Sequence, residues 1–339
     1  MKNKLILITN ESIYIDKNKN FFCDNIDLKS IPENLSKYTE INIVGRYSKI
    51  DRSKKIEIKN IYIFKSIFSY LFNIFQSLKQ KDTTYLIISL SPYTFMASLL
   101  LKFFFKKHFI YLRSDGFEEY KAILGYLGSL IYFIIFKIGI INSNLIACRE
   151  HLLKKNNGSI VNPSQLKKKW FEDTKIAIPK ELKFLYVGRL RVEKGIFSFI
   201  KMIENSNFNL TIVTSEKNAK LKKNHQNIKL INFENYNDTI IKFYDQHSIL
   251  ILPSYTEAHP QVIDEALARN RPVIVFKEIS HVTRDREGVF VCERNINSLE
   301  NMVNYISSNY ENISSKIKNN KLPTQENFIN ELRKILFKK

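Results

Sequence analysis

A chain of 339 residues exceeds what one ordinary hydrophobic core organises, since single cores stop growing near roughly 250–300 residues, so two domains are expected. Hydrophobic residues at 44% beside 25% charged exclude disorder over most of the length, and three cysteines far apart (Cys23, Cys148, Cys292) exclude a disulfide framework or thiolate metal site. The net charge of +20 admits nucleic acid, anionic membrane or phosphorylated substrates as partners, although Lys, Asn and Ile abound throughout, as a biased genome composition would also produce.

Along the first half, β-rich runs recur at 5–9, 41–44, 85–90, 109–112 and 144–148, with helix-length segments between them. The first run starts at the N-terminus without a long apolar stretch or small-residue cleavage site, so no signal peptide is expected. Residues 154–182, rich in Lys, Asn, Pro and Gly, suit an inter-domain connection cut near residue 170. Beyond it, buried-strand patterns at 184–187, 210–214, 228–231, 249–252 and 273–276 alternate with helical patterns at 195–204 and 261–268. Alternation of this kind predicts two parallel sheets covered by helices, an α/β architecture of two Rossmann-like domains. Phe328, Ile329, Leu332, Ile335 and Leu336 fall at helical spacing, so a C-terminal amphipathic helix is expected to pack on the first domain. The predicted division is 1–170, 171–322 and a terminal helix at 323–339.

Two segments of the first half bear on membranes. Residues 123–141 are almost wholly apolar apart from Lys137 and approach the length of a membrane span, yet they sit where a parallel sheet requires a crossover helix. Residues 99–109 mix Lys102, Lys106, Lys107 and His108 with leucines and phenylalanines, a composition that suits an anionic membrane surface or a solvated helix end. Together they make a peripheral membrane location the expectation.

The most specific chemistry lies in 252–276. A buried strand ends at Leu252, a loop carries Glu257, and Pro260 suits the start of a helix that holds Glu265. Unpaired backbone N–H groups at that helix start attract phosphate, while the carboxylates accept bonds from ligand hydroxyls. An earlier strand end, Tyr186-Val187-Gly188-Arg189-Leu190-Arg191-Val192-Glu193-Lys194-Gly195, offers a glycine for close backbone approach and two cations for a diphosphate.

In order and spacing, Glu257, seven residues and Glu265, following a strand with Pro-Ser and preceding Pro272-Val273-Ile274, resemble the signature of the retaining GT-B glycosyltransferases of family 4, which include bacterial lipopolysaccharide, capsule and exopolysaccharide sugar transferases. The Gly-Arg-Leu and Lys-Gly turn agrees with it. The resemblance covers 184–291 closely and the first half in layout. It implies the GT-B fold, two facing domains, and transfer of a sugar with retention from a nucleotide-sugar to a growing, lipid-linked surface glycan at the inner face of a bacterial membrane. Glu257 would contact the donor sugar and Glu265 the ribose. Gly188, Ala258, His259, Pro260, Gln261 and Val262 would line the donor, and Arg189 and Lys194 would stabilise the leaving diphosphate. No Asp-x-Asp cluster occurs, so neither metal nor cofactor is expected.

On the acceptor side, Arg113 and Asp115 follow a strand end, where open α/β sheets place ligands, and Asp115 equally suits a helix cap. His151, Trp170 and His281 read as structural or surface residues, Lys167, Lys168, Lys169, Lys222 and Lys223 as solvated charge. Departures from the family pattern are Thr9-Asn10-Glu11 in place of a glycine-bearing first turn, Ala258-His259 for Gly-Phe, Asn270 for Gly, and a loop at 277–288 without paired glycines. Competing readings are a nucleotide-sugar epimerase or phosphorylase of the same fold, an integral membrane protein, and a basic nucleic-acid-binding protein. Against the last, the charge is scattered and no nucleic-acid module appears.

Overall fold

The structure is a computed structural model that describes residues 4–174, 182–216, 219–221, 226–232 and 240–338. Lys222 and Lys223 lie outside the described residues. The chain forms two compact units, residues 1–163 with 326–339 and residues 164–325. The division therefore precedes residue 170, because Leu166 and Trp170 are buried in the core of the second unit.

The first unit runs β1 (Lys4–Ile15), β2 (Phe21–Cys23), α1 (Ile26–Leu35), β3 (Glu40–Tyr47), β4 (Lys54–Ile56), β5 (Ile61–Phe64), α2 (Ile67–Ser77), β6 (Thr83–Ile88), α3 (Pro92–Phe103), β7 (His108–Leu112), α4 (Gly116–Gly139), β8 (Asn144–Ala147) and β9 (Ser159–Ile160). Its parallel strands lie in the order β5, β3, β1, β6, β7, β8, β9, with Leu7 paired to Ile43 on one side and Leu86 on the other. Strands β2 and β4, which the sequence pattern did not announce, form an antiparallel extension on the far end of β1, beyond a register shift between Ile8 and Ser12. Side chains alternate across β1 as the pleat dictates. Leu5, Leu7 and Ile13 face one core, Ile6 and Ile8 the other.

Helix starts follow local chemistry. Ser66 and Ser91 close capping boxes on α2 and α3, with Pro92 in the first turn of α3, and Asn25 accepts the N–H groups of Asp27 and Leu28 to cap α1. Helix α4 is interrupted at Gly125, whose φ of 64° and ψ of −151° only glycine adopts readily. The arms on either side fold against each other. The rings of Phe117 and Tyr132 lie 4.8 Å apart, where one straight helix would hold those residues about 22 Å apart. Gly116 and Gly128 permit the approach, since a Cβ on either would collide with Tyr132 or with the Tyr120 carbonyl.

The second unit runs β10 (Lys183–Val187), α5 (Ile196–Ile203), β11 (Asn209–Thr214), β12 (Ile228–Asn232), α6 (Ile240–Gln246), β13 (Ile249–Leu252), α7 (Gln261–Ala268), β14 (Val273–Phe276), β15 (Val289–Cys292), α8 (Ile296–Ser308) and α9 (Tyr310–Ile317). Its six-stranded parallel sheet has the order β12, β11, β10, β13, β14, β15. The last helix, α10 (Gln325–Leu336), returns to the first unit, where Phe328, Ile329, Leu332 and Leu336 join the core with Leu5 and Leu7.

Candidate active site

Strand order in the second sheet reverses between β10 and β13, neighbours that are far apart in sequence. Ligands of open α/β sheets bind outside the carboxyl ends of strands at such a reversal. The two segments that leave β10 and β13 there are 188–195 and 253–260, the two that the sequence singled out.

The structure brings them into direct contact. Lys194 Nζ donates to Glu257 Oε1 at 2.6 Å, and Ser254 Oγ donates to the same oxygen at 2.7 Å. The backbone is stitched as well, with the Tyr255 N–H donating to the Glu193 carbonyl at 3.0 Å. Gly195 has φ of 62°, and a Cβ there would collide with the Pro253 carbonyl, so this turn requires glycine twice over. Glu257 thus holds one oxygen on a lysine and a serine, fixed in position although only partly buried. Arg189, by contrast, is exposed. The turn that carries it folds over Tyr186, whose hydroxyl donates to the Arg189 carbonyl at 2.7 Å, and a Cβ on Gly188 would press on that hydroxyl. Burial pushes the Tyr186 phenol well above its ordinary range. Glu216, just past β11, accepts the Leu190 N–H at 2.7 Å.

Helix α7 begins after Pro260 with no side-chain cap, leaving the early N–H groups at Gln261 and Val262 directed out of the helix start. Glu265 is buried further along the helix, where Tyr244 donates its hydroxyl at 2.6 Å. His259, beside Ala258, is held by side chains. Arg284 Nη2 lies 2.8 Å from its Nδ1, and since a guanidinium only donates, Nδ1 accepts and the ring proton sits on Nε2, 3.8 Å from Asp264. Asp264 also pairs with Arg286, whose guanidinium burial draws down from its usual range.

Sequence reasoning missed several of these partners. His281, read as structural or surface, has Nε2 2.8 Å from the Glu257 carbonyl and so belongs to the site's frame. Arg294 donates to the Pro253 carbonyl at 3.0 Å, pairs with Glu278 at 2.6 Å and lies 4.3 Å over the Tyr255 ring. No spacing signal marks these residues, because each reaches the loop from a different element. Among the described residues no cluster of three His, Cys, Asp or Glu could hold a metal ion.

In the first unit, the acceptor-side candidates have identifiable partners. Arg113 Nε pairs with buried Asp27 at 2.7 Å, and its backbone carbonyl accepts from Cys148 Sγ. Asp115 caps α4 by accepting the Phe117 N–H at 3.0 Å and pairs with Lys154 at 2.7 Å. The glycine-poor first turn supplies Glu11, which accepts from Asn25 at 2.5 Å and lies 3.8 Å from Arg113.

Residues 168–322 match the family model described as Glycosyl transferases group 1. An uncharacterized glycosyltransferase of Haemophilus influenzae is 30% identical over 167 residues, which is 46% of this chain and 46% of the relative, so the match spans about half the length of each. Among solved structures, sucrose-phosphate synthase from Thermosynechococcus elongatus superposes with a TM-score of 0.71 at 14% identity over 98% of both chains. WaaG, a glycosyltransferase involved in lipopolysaccharide biosynthesis, gives 0.67 at 12% over 98% of this chain and 100% of its own. UDP-GlcNAc 2-epimerase from Neisseria meningitidis, bound to UDP-GlcNAc, gives 0.59 at 13% over 99% and 100%. At these identities the likeness is one of fold, and the fold is GT-B, two Rossmann-like parallel-sheet domains.

Proposed function

We propose that this chain is a glycosyltransferase that moves a sugar from a nucleotide-sugar donor to a growing surface glycan, lipid-linked, with retention of anomeric configuration. The observation that carries the reading is the Lys194–Glu257 pair at the strand-order reversal of the second sheet, within the segment that matches the glycosyl transferases group 1 model. The choice of a surface glycan draws on the likeness to WaaG and on the motif resemblance.

In such a transfer the bond from the sugar carbon to the diphosphate oxygen breaks, the nucleoside diphosphate leaves with the electron pair, and the acceptor hydroxyl oxygen takes its place as its proton passes to the departing phosphate oxygen. Negative charge therefore grows on the phosphate as positive character grows on the sugar. Lys194 is the cation for the first, and exposed Arg189 on the same turn is a second. The uncapped start of α7 adds backbone donors suited to phosphate oxygens. Glu257 serves the sugar side, with Ser254 and Lys194 holding its geometry so that little reorganisation remains. Glu265, deeper in α7, is assigned to the ribose hydroxyls, with Tyr244 fixing the carboxylate. The diphosphate is neutralised by side chains and helix N–H groups, without a metal. Arg113 and Asp115 belong to the acceptor side as positioning groups.

Incubation with a panel of UDP-, GDP- and CMP-sugars and a lipid-linked glycan acceptor tests the reading. Transfer is expected with one donor, and NMR of the product is expected to show the donor's anomeric configuration. Glu257→Gln and Lys194→Ala are each expected to lower turnover by about a hundredfold or more while leaving the thermal unfolding midpoint unchanged. Near-normal turnover in either variant removes that residue from the mechanism. The fold shared with UDP-GlcNAc 2-epimerase favours one second reading. Release of a free epimerised nucleotide sugar in the absence of acceptor would establish it in place of transfer.

A further inference from the structure

The largest unexplained feature lies in the first unit, which does not contain the 188–195 and 253–260 segments. Among the described residues, most of the exposed large apolar side chains of the whole chain fall between 62 and 141, on α2, the α3–β7 turn and α4. On α2 they form a stripe at Phe68, Phe72 and Phe75, opposite the buried Tyr70 and Ile74. Phe75 meets Phe104 edge to face at 5.6 Å, and Phe104 meets Phe103 at 5.1 Å, so the stripe continues into the turn, where Phe105 is 95% exposed. From there Lys102 reaches the C-terminal carbonyls of α4, Ile138 and Gly139, at 2.6 and 2.7 Å. The outer face of the second arm of α4 then adds Leu130, Phe133, Ile134 and Ile138. At the reversal between the arms stand Ile123, Leu124, Tyr126 and Leu127, of which Tyr126 is 87% exposed.

A helix buried on one side by a sheet normally turns polar residues outward. Here the inner stripe, Gly128, Tyr132, Ile135, Phe136 and Gly139, packs on the sheet, while the outer one is just as apolar, which implies a second apolar phase. Exposed Glu118 and Glu119 stand at the start of the first arm, and away from that end the charge beside the face is of one sign. No Asp or Glu occurs between 83 and 114 or between 120 and 149, whereas Lys107, Lys121 and Lys137 are exposed there. Each of the three lies over an aromatic ring, of Phe109, Tyr126 and Phe133 respectively, at 5.4 to 5.8 Å. Cations over aromatic rings at the edge of an apolar face suit the boundary between headgroups and acyl chains.

We propose that α2, the 103–105 turn and the folded-back arms of α4 form one docking face for an anionic lipid bilayer, with the Gly125 reversal as the part that enters it. The face lies in the membrane plane and does not span it. The element between β7 and β8 has 24 residues, but its second arm is only the stretch 126–139, about 21 Å long against a hydrocarbon core of about 30 Å. Both ends of the element also connect strands that pair side by side in one sheet. A second copy of the chain fits the face less well, because a twofold contact sets each patch against itself and would oppose lysines to lysines. Nothing in this face depends on sugar transfer.

The full-length chain, without donor or acceptor, is mixed with vesicles of phosphatidylcholine alone or of phosphatidylcholine with phosphatidylglycerol and floated on a density gradient. It is expected to float with the anionic vesicles, to bind the neutral ones less, and to be released by alkaline wash. Replacing Leu124 and Leu127 by Glu is expected to lower anionic-vesicle binding at least about tenfold. Phe197→Glu combined with Tyr305→Glu, an equal charge change on exposed residues of α5 and α8 in the second unit, is expected to change nothing. Should the double variant misfold by circular dichroism, Leu127→Cys carrying an environment-sensitive dye gives the answer, since the three native cysteines are buried. Its emission is expected to shift to the blue on anionic vesicles. No flotation and no shift, with a dimer by light scattering, would overturn the proposal in favour of self-association, and resistance to alkaline wash would overturn it in favour of a span. Loss of nucleotide-sugar transfer in separate assays would leave all of these outcomes readable.

Discussion

The first sheet is clothed differently on its two faces. On one, α1 and α10 bury Leu28, Ile31, Leu35, Phe328, Ile329, Leu332 and Leu336 and turn Lys29, Glu33, Glu326, Arg333 and Lys334 outward. On the other, α2, α3 and α4 bury a comparable layer with Tyr70, Ile74, Leu101, Tyr132 and Phe136, yet their outward side chains are Phe68, Phe72, Leu127, Leu130 and Ile134. Packing against the sheet demands one apolar stripe per helix and says nothing of the opposite side. The difference therefore separates what the fold needs from what the surroundings of the molecule demand, and it can be broken residue by residue.

The sharpest break sets one aromatic residue from each face against the other. Phe328 is fully buried against Tyr111, and Phe328→Ala is expected to cost about 3–5 kcal/mol in urea unfolding. Phe72, 60% exposed on α2, is expected to tolerate Phe72→Ser within about 0.5 kcal/mol. If Phe72→Ser costs as much as Phe328→Ala, the outer stripe of α2 is part of the core and the contrast between the faces fails.

A smaller effect comes from the polar knot that fastens the apolar-clad helices. His108 was grouped by sequence with the lysines of a membrane-facing mix, but it is 1% exposed. Its Nε2 lies 3.1 Å from Ser98 Oγ and 2.7 Å from Ser143 Oγ, and its Nδ1 lies 3.0 Å from the Lys106 carbonyl. A carbonyl can only accept, so Nδ1 carries the proton, and in the neutral ring the one lone pair of Nε2 accepts from Ser143, while Ser98 donates its hydroxyl to the Gly139 carbonyl at 2.9 Å. Burial lowers its pKa, with the Lys106 carbonyl opposing and Lys102 reinforcing. The unfolded chain thus binds the proton more readily than the folded one between the lowered value and about 6.5, so stability is lost as pH falls through that window. His108→Ala is expected to cost about 1–3 kcal/mol near neutral pH and to flatten the acid slope measured by urea unfolding at a series of pH values. An unchanged slope would assign the acid sensitivity to other groups.

What was legible in the sequence follows the range of the forces involved. Strands such as 184–187 and 273–276 were readable because burial on both sides leaves an uninterrupted apolar run, and α10 because one stripe survives on a polar background. The segments that carry Glu257 and Lys194 stood out because each follows a strand end with proline or glycine in the turn. His281, Arg294 and Tyr244 were not, since their partners are set by tertiary distance alone. Strands β2 and β4 escaped because three residues carry too little periodicity to register. The apolar run at 123–141 lies in the crossover helix that its place between two strands called for, but the fold-back within it was not legible. Hydropathy adds residues along the sequence regardless of direction, and one glycine permits the reversal.

That glycine gives the smallest effect and the finest test of the contrast. A Cβ on Gly125 would meet no atom within 4 Å, so Gly125→Ala imposes no collision and acts only through the backbone, at about 1 kcal/mol or somewhat more. The variant has two ways to respond. If the arms stay folded, held by Phe117 against Tyr132 and by Gly128 under the Tyr120 carbonyl, urea unfolding records only that modest loss and alkaline wash still releases the protein from vesicles. If the strain is instead relieved by straightening, the 24 residues become one helix about 36 Å long, enough to cross a bilayer, and the protein resists the wash. The first outcome is expected, because straightening would strip Tyr132 and Phe136 of their contacts with Phe117. The apolar face is then a surface layer fixed by packing between the arms, with the glycine only permitting the turn.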